Sequence, residues 1–182
     1  MEKKIMIAID NSIPSKHAVN YAVAMTKMIK PLTLTLYHVQ PPISQYLQDE
    51  AKKDRKASAQ LEAVLQKNAQ AAQDLLTEIK ESMIRKGVGN KHIEIETRQR
   101  RIEVDRAILA AAEEKRCDAL VVGSRDLSSL QKAFMDSVST RILQQPAAVP
   151  IWLIKGKVEK PGKFLVAADG SQNAYRAVDH LA

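Results

Sequence analysis

Short apolar runs alternate with longer helix-period segments along the first 155 residues, and few folds accept that alternation. Residues 4–9 (KIMIAI) are too few for a helix and run into Asp10-Asn11-Ser12, so they read as a buried strand. A helix follows, with Ser15 placed to cap it and Ala18, Ala22 and Met25 on one face beside Val19. Residues 32–39 (LTLTLYHV) form a second strand that stops at Pro41-Pro42. The polar stretch 43–55 reads as a mobile connection or a frayed helix start. Beyond it Leu61, Leu65, Ala69, Ala72, Leu76, Ile79 and Met83 recur at intervals of three and four, marking a long amphipathic helix that Gly87 and Gly89 end.

Ile93 and Ile95 alternate with Glu94 and Glu96, which predicts a half-exposed third strand at a sheet edge. A third helix is expected over about 103–116, turning Ile108, Leu109, Ala111 and Ala112 inward. Residues 119–122 (ALVV) make a fourth strand that breaks at Gly123, residues 129–144 a fourth helix stopped before Pro146, and residues 149–154 (VPIWLI) a fifth strand. Parallel strands need crossovers, and those crossovers are right-handed. The expected fold is therefore α/β, a doubly wound five-stranded parallel sheet with helices on both faces. Placing the half-exposed third strand outermost gives the order 3-2-1-4-5. Ligands of such sheets bind where the strand order reverses, and this puts Asp10-Asn11-Ser12 beside the segment that starts at Gly123.

With 182 residues, 45% of them hydrophobic, the chain can bury one sizeable core and is short for two ordinary domains. Aromatic residues are few, so aliphatic side chains must build that core. Cys117 is the single cysteine, which excludes an intrachain disulfide and a cysteine-based metal cage and suits a reducing compartment. No run of eighteen apolar residues exists and the first residues are charged, so the expectation is a cytoplasmic protein with no membrane contact. The net charge of +7 is spread among acids, as in Lys52-Lys53-Asp54-Arg55-Lys56, without interleaved aromatics. That reads as a solvated basic surface and not a nucleic-acid interface.

Residues 156–162, between the fifth strand and Lys163, are charged and carry Gly156, Pro161 and Gly162, the composition of a linker. The chain beyond this linker repeats its own beginning. Residues 163–171 (KFLVAADGS) align without a gap on residues 4–12 (KIMIAIDNS), at an offset of 159 from Asp10 to Asp169, and Ala177-Val178 falls on Ala18-Val19. An offset of one domain length marks the beginning of a second copy. Its 163–182 segment is too short to fold alone, and is expected to be disordered, docked on the first domain, or exchanged with another chain.

The ordered set of a strand ending in Asp-x-Ser, a strand ending in His38-Val39, Asp118-Ala-Leu-Val-Val-Gly-Ser124, and Asp136-Ser137-Val138 leading to Pro150-Ile-Trp-Leu153 resembles the universal stress protein family. The resemblance implies an adenine nucleotide alpha hydrolase-like fold, with a universal stress protein domain over 1–155, a linker over 156–162, and the truncated start of a second such domain over 163–182. In nucleotide-binding members, an aspartate after the first strand and main-chain groups at the end of the second hold adenosine. A Gly-x-x-Gly, nine residues, Gly-Ser/Thr segment then wraps the phosphates. Carried to this chain, the nucleotide position comprises Asp10, Asn11, Ser12, Val39, Gly123, Ser124, Ser137 and Val138. In the family the fifth strand pairs across a domain interface, which implies a homodimer or a contact with a second domain through the strand Val149 to Ile154. Helices alone covering that strand is the other account.

This chain departs from the pattern. Asp126 stands where the second glycine should be and Asp136 where the third should be, while Ser137 keeps its hydroxyl and Asn11 replaces a glycine. A carboxylate about 4 Å from a phosphate charge costs on the order of 4 kcal/mol at an effective dielectric near 20, unless Mg²⁺ intervenes. The Gly123 loop is either a phosphate cradle or a plain structural turn, and Asp10 either a nucleoside contact or a turn and cap residue. His17, His38, His92 and His180 show no ligand spacing, and no serine has a partner that would make it a nucleophile, so neither a metal site nor a catalytic residue is expected. Arg98, Arg100 and Arg101 could meet an anion, though a solvated loop accounts for them as well. The expected function is a stress-response regulatory or interaction protein, not an enzyme, with no cofactor in a degenerate nucleotide site. The alternative is a module that binds ATP or another adenine nucleotide, with slow hydrolysis as a further option.

Overall fold

The computed structural model of the chain describes residues 2–124, 137–157 and 165–181. Five parallel strands, β1 (Lys3–Ala8), β2 (Leu32–Val39), β3 (Ile93–Arg98), β4 (Ala119–Ser124) and β5 (Ile151–Lys155), form one sheet in the order β3-β2-β1-β4-β5. β3 and β5 are the edges, as the alternation in β3 predicts. Helices α1 (Ile13–Met25), α2 (Gln45–Ala51), α3 (Arg55–Arg85), α4 (Val104–Glu114), α5 (Val138–Gln144) and α6 (Gln172–Leu181) are described around it.

The two-residue period of the strands divides the interior into two cores. Ile5, Ile7, Leu34, Leu36, Ala119 and Val121 face α1 and α3, where Ala18, Ala22, Leu76 and Met83 are buried. Met6, Tyr37, Leu120 and Val122, one residue out of phase, face α4 and α5, where Ile108, Leu109, Ala112 and Ile142 are buried. The central strands β1 and β4 are thus apolar on both faces, as strands covered by helices on both sides must be.

Several boundaries differ from expectation for local reasons. Ser12, not Ser15, caps α1: its Oγ accepts from the Ser15 N–H at 3.3 Å, and Pro14 occupies the first turn, where its missing N–H is harmless. Ser15 lies inside the helix, buried, and its Oγ accepts the Asp10 N–H at 3.2 Å. The 43–55 segment is not a plain connection. It holds the two-turn helix α2, whose cap Ser44 accepts from the Leu47 N–H at 3.3 Å.

α3 begins at Arg55, earlier than the apolar spacing shows, because the Asp54 carboxylate accepts from the Ala57 N–H at 2.9 Å. At 31 residues it is about 46 Å long against about 26 Å for the longest strand. Its amino-terminal half overhangs the sheet, which is why Ala69 is exposed and Leu61 and Leu65 only half-buried. β4 does not break at Gly123 but runs through it to Ser124.

Asp126, Asp136, the beginning of the expected fourth helix and the linker residues 158–162 lie outside the described residues. Residues 165–169 form no strand here, and α6 follows them. Among the described residues no helix is long and apolar enough to cross a membrane.

Candidate functional site

The strand order reverses between β1 and β4, and a cavity of about 380 Å³ opens beyond the carboxyl ends of β1, β2 and β4. Asp10, Ser12, Val39, Gly123, Ser137 and Val138 line it, six of the eight residues expected at a nucleotide position. Asn11 is exposed and Ser124 is buried at the end of β4, and neither lines the cavity. A larger hollow, about 730 Å³ between α3 and Thr97 of β3, is lined otherwise by alanine and glutamine side chains and Lys67, and holds none of the residues expected at a nucleotide position. The switch-point cavity is therefore the candidate site.

Asp10 comes directly after β1 and is tied into the start of α1. Its Oδ1 accepts from the Ser12 N–H at 3.0 Å and from the Ser12 hydroxyl, while its own N–H donates to Ser15 Oγ. These bonds by themselves close the loop between β1 and α1. The turn-and-cap account of Asp10 is thus realised while the residue still lines the cavity.

Gly123 passes under the first turn of α1. A Cβ at this position would lie 2.2 Å from the Pro14 carbonyl oxygen, 2.3 Å from its carbon and 2.7 Å from the Ser15 nitrogen. All three are backbone atoms, so no side-chain rotation could make room. The glycine is required by the packing of β4 against α1, whatever else the site holds.

Ser137 caps α5, its Oγ accepting from the Thr140 N–H at 3.2 Å and lying 3.0 Å from Ser139 Oγ and 2.8 Å from Thr140 Oγ1. Of this hydroxyl cluster, Ser137 and Ser139 line the cavity together with Asp10. His38 lines the cavity with its Nδ1 2.8 Å from the Ile9 carbonyl oxygen, so Nδ1 carries a proton and donates. The ring is held by the chain end of β1.

Sequence reasoning missed Tyr37, Val104, Ile108 and Val122, which supply the apolar floor. Tyr37 is 1% exposed, and burial pushes its phenol above the ordinary range. The signal was available in the strand period, since Tyr37 and Val122 fall on the same face as the α4 core. Behind this floor the buried Asp105 of α4 accepts from Arg141 Nε at 3.0 Å and from Gln145 Nε2, fastening α4 to α5. Burial alone would raise the Asp105 carboxyl, but the bond from Arg141, its own backbone N–H and Gln145 together hold it below the usual carboxylate range.

Two of the three clustered arginines are engaged elsewhere. Arg98 bonds both carboxylate oxygens of Glu114 at 2.7 and 3.1 Å and Glu96 at 2.7 Å, and Arg100 pairs with Glu103 at 3.0 Å. Arg98 lies at the end of β3 and not in a loop, and both guanidinium groups are paired with carboxylates. Cys117 is buried, and that burial pushes its thiol up, away from the reactive thiolate. Among the described residues no three His, Cys, Asp or Glu side chains are grouped to hold a metal ion.

The family model described as the Universal stress protein family matches residues 1–155. No curated protein sequence matches the chain. Solved structures share its fold. A protein from the universal stress protein family of Burkholderia pseudomallei is 20% identical, with a TM-score of 0.53 over 84% of this chain and 95% of that one. The universal stress protein UspA from Lactobacillus plantarum is 17% identical, with a TM-score of 0.60 over 84% and 97%. A universal stress protein in complex with cAMP is 16% identical, with a TM-score of 0.55 over 84% and 95%.

Proposed function

Since this chain belongs to the universal stress protein family, we propose that it is a non-catalytic, cytoplasmic stress-response protein that works through contacts with partners, and that its nucleotide site has become degenerate. One observation carries this reading. Gly123, the one glycine of the family's phosphate segment that the chain retains, is accounted for by its close approach to the Pro14 backbone. What remains of the pattern serves the fold: Asp10 and Ser12 close the turn into α1, and Ser137 caps α5. In the sequence, the segment between Gly123 and Ser137 brings carboxylates, Asp126 and Asp136, in place of glycines. Their charge opposes that of a triphosphate.

Contact with a second copy or a second domain is proposed through β5, an edge strand whose Ile151, Trp152 and Leu153 are only half-buried by the helices of this domain. An open apolar edge of this kind is a pairing surface.

The cavity itself favours a second reading, an adenine-nucleotide-binding module. Its volume lies at the small end of ligand pockets, and it gathers an apolar floor, the Asp10 carboxylate and the Ser137 hydroxyl. Calorimetric and thermal-shift titration with ATP and Mg²⁺, AMP and cAMP separates the two. The degenerate site predicts no saturable heat and no shift with ATP. A dissociation constant below about 100 μM would raise stability by about 2 kcal/mol at about 5 mM ligand and would decide for the module. Phosphate release above a buffer control, abolished by Asp10→Ala, would instead establish a slow hydrolase.

A further inference from the structure

The indole of Trp152, on β5, is held between two helices that occupy equivalent places in the repeat. Tyr21 of α1 meets it edge-on, with ring centroids 6.0 Å apart at 88°. His180 of α6 meets it from elsewhere, with centroids 5.7 Å apart at 58°. The offset of 159 residues that relates the two copies sets His180 on Tyr21. The first helix of each copy therefore uses the same position to pack on one tryptophan.

The chemistry of the second contact is selective for protonation state. Trp152 Nε1–H donates to His180 Nε2 at 2.8 Å. An indole N–H can only donate, so Nε2 must offer a lone pair, and the ring must be neutral with its proton on Nδ1. An imidazolium would place N–H against N–H and a positive charge against the indole edge. Tyr175 and Val178 of the same helix are exposed, so among its described side chains α6 has little other apolar purchase on the domain.

We propose that α6 is a latch on the β5 edge, closed by neutral His180 on Trp152 and released by its protonation. Release uncovers Trp152 and opens that flank of β5 to solvent. The groups facing His180 set the release point. Lys3 of β1 disfavours the imidazolium, while Asp118, which precedes β4 and pairs with Lys3 at 3.1 Å, favours it. Burial, then Lys3, hold the His180 imidazole below the ordinary histidine value. Docking is therefore at full strength above the undocked histidine value near 6.5, and weakens as pH falls through that value toward the lower docked one.

Trp152 is the only tryptophan in the chain, so its emission reports the latch directly, whether or not β5 pairs with anything. Intrinsic fluorescence of the full chain should move to longer wavelength as pH is lowered from 7.5 to 5.5, along a single titration curve. His180→Phe keeps a ring on the indole but cannot titrate, and should be flat over the same range. Lys3→Gln removes the repelling charge and should move the wild-type midpoint to higher pH. A flat wild-type curve, or an equal transition in His180→Phe arising from His17, His38 or His92, would overturn the latch.

Discussion

Replacing Gly123 by alanine adds one methyl group, and the structure says where it must go. The new Cβ would sit 2.2 Å from the Pro14 carbonyl oxygen, about 1.3 Å inside the ~3.5 Å separation at which non-bonded contacts become favourable. Its other close neighbours, the Pro14 carbonyl carbon and the Ser15 nitrogen, are also backbone, in the first turn of a helix whose face buries Ala18, Val19 and Ala22. Relief requires α1 to move as a body off β4, which opens the core on that face. Overpacking that side chains can absorb costs about 1–3 kcal/mol, so a backbone clash should cost at least about 3 kcal/mol. In a domain of this size each kcal/mol lowers the melting temperature by about 2–4 °C, so the loss should be about 6–12 °C. Thermal unfolding of the protein alone, monitored by circular dichroism, reads this directly. Gly89→Ala is the control, since its Cβ would meet only the His92 ring at 3.3 Å, and its loss should stay within about 2 °C. A Gly123→Ala protein that melts within about 2 °C of wild type would refute the packing requirement and return the glycine to a ligand role.

The fastening of the helices can be tested at two more positions. Asp105→Asn should cost about 2 kcal/mol at pH 7 by weakening the bond to Arg141, and the deficit should shrink as pH falls below about 4. The sign is that of a carboxyl held below its unfolded value: its contribution is complete above that value and is lost as pH falls through the folded one. Urea unfolding at a series of pH values checks both statements. Ser12→Ala removes the cap of α1 and the hydroxyl that bonds Asp10, and should lower stability by about 1 kcal/mol in the same assay, with an unchanged dependence on denaturant.

The sheet order was legible because two local signals sufficed for it. Ile93 and Ile95 alternating with Glu94 and Glu96 put β3 at an edge, and the handedness of crossovers left little choice for the rest. Six of the eight residues expected at a nucleotide position line the switch-point cavity, since each lies just past the end of a strand or opens a helix there. Asn11 and Ser124 were not separable from them in one dimension. Both neighbour lining residues, and only the packing around the turn after β1 and the end of β4 sends Asn11 to solvent and buries Ser124.

Residue order alone was enough for the class of fold, the strand order and the family, because period, punctuation and motif spacing are properties of neighbours along the chain. Close approach between distant segments is not such a property, and it governed the rest. Whether Gly123 is required by a helix depended on how near the Pro14 carbonyl lies to β4, and whether α6 meets the sheet depended on His180 reaching Trp152. Distances of that kind arise only when the whole core packs at once, each element taking its place from surfaces supplied by all the others.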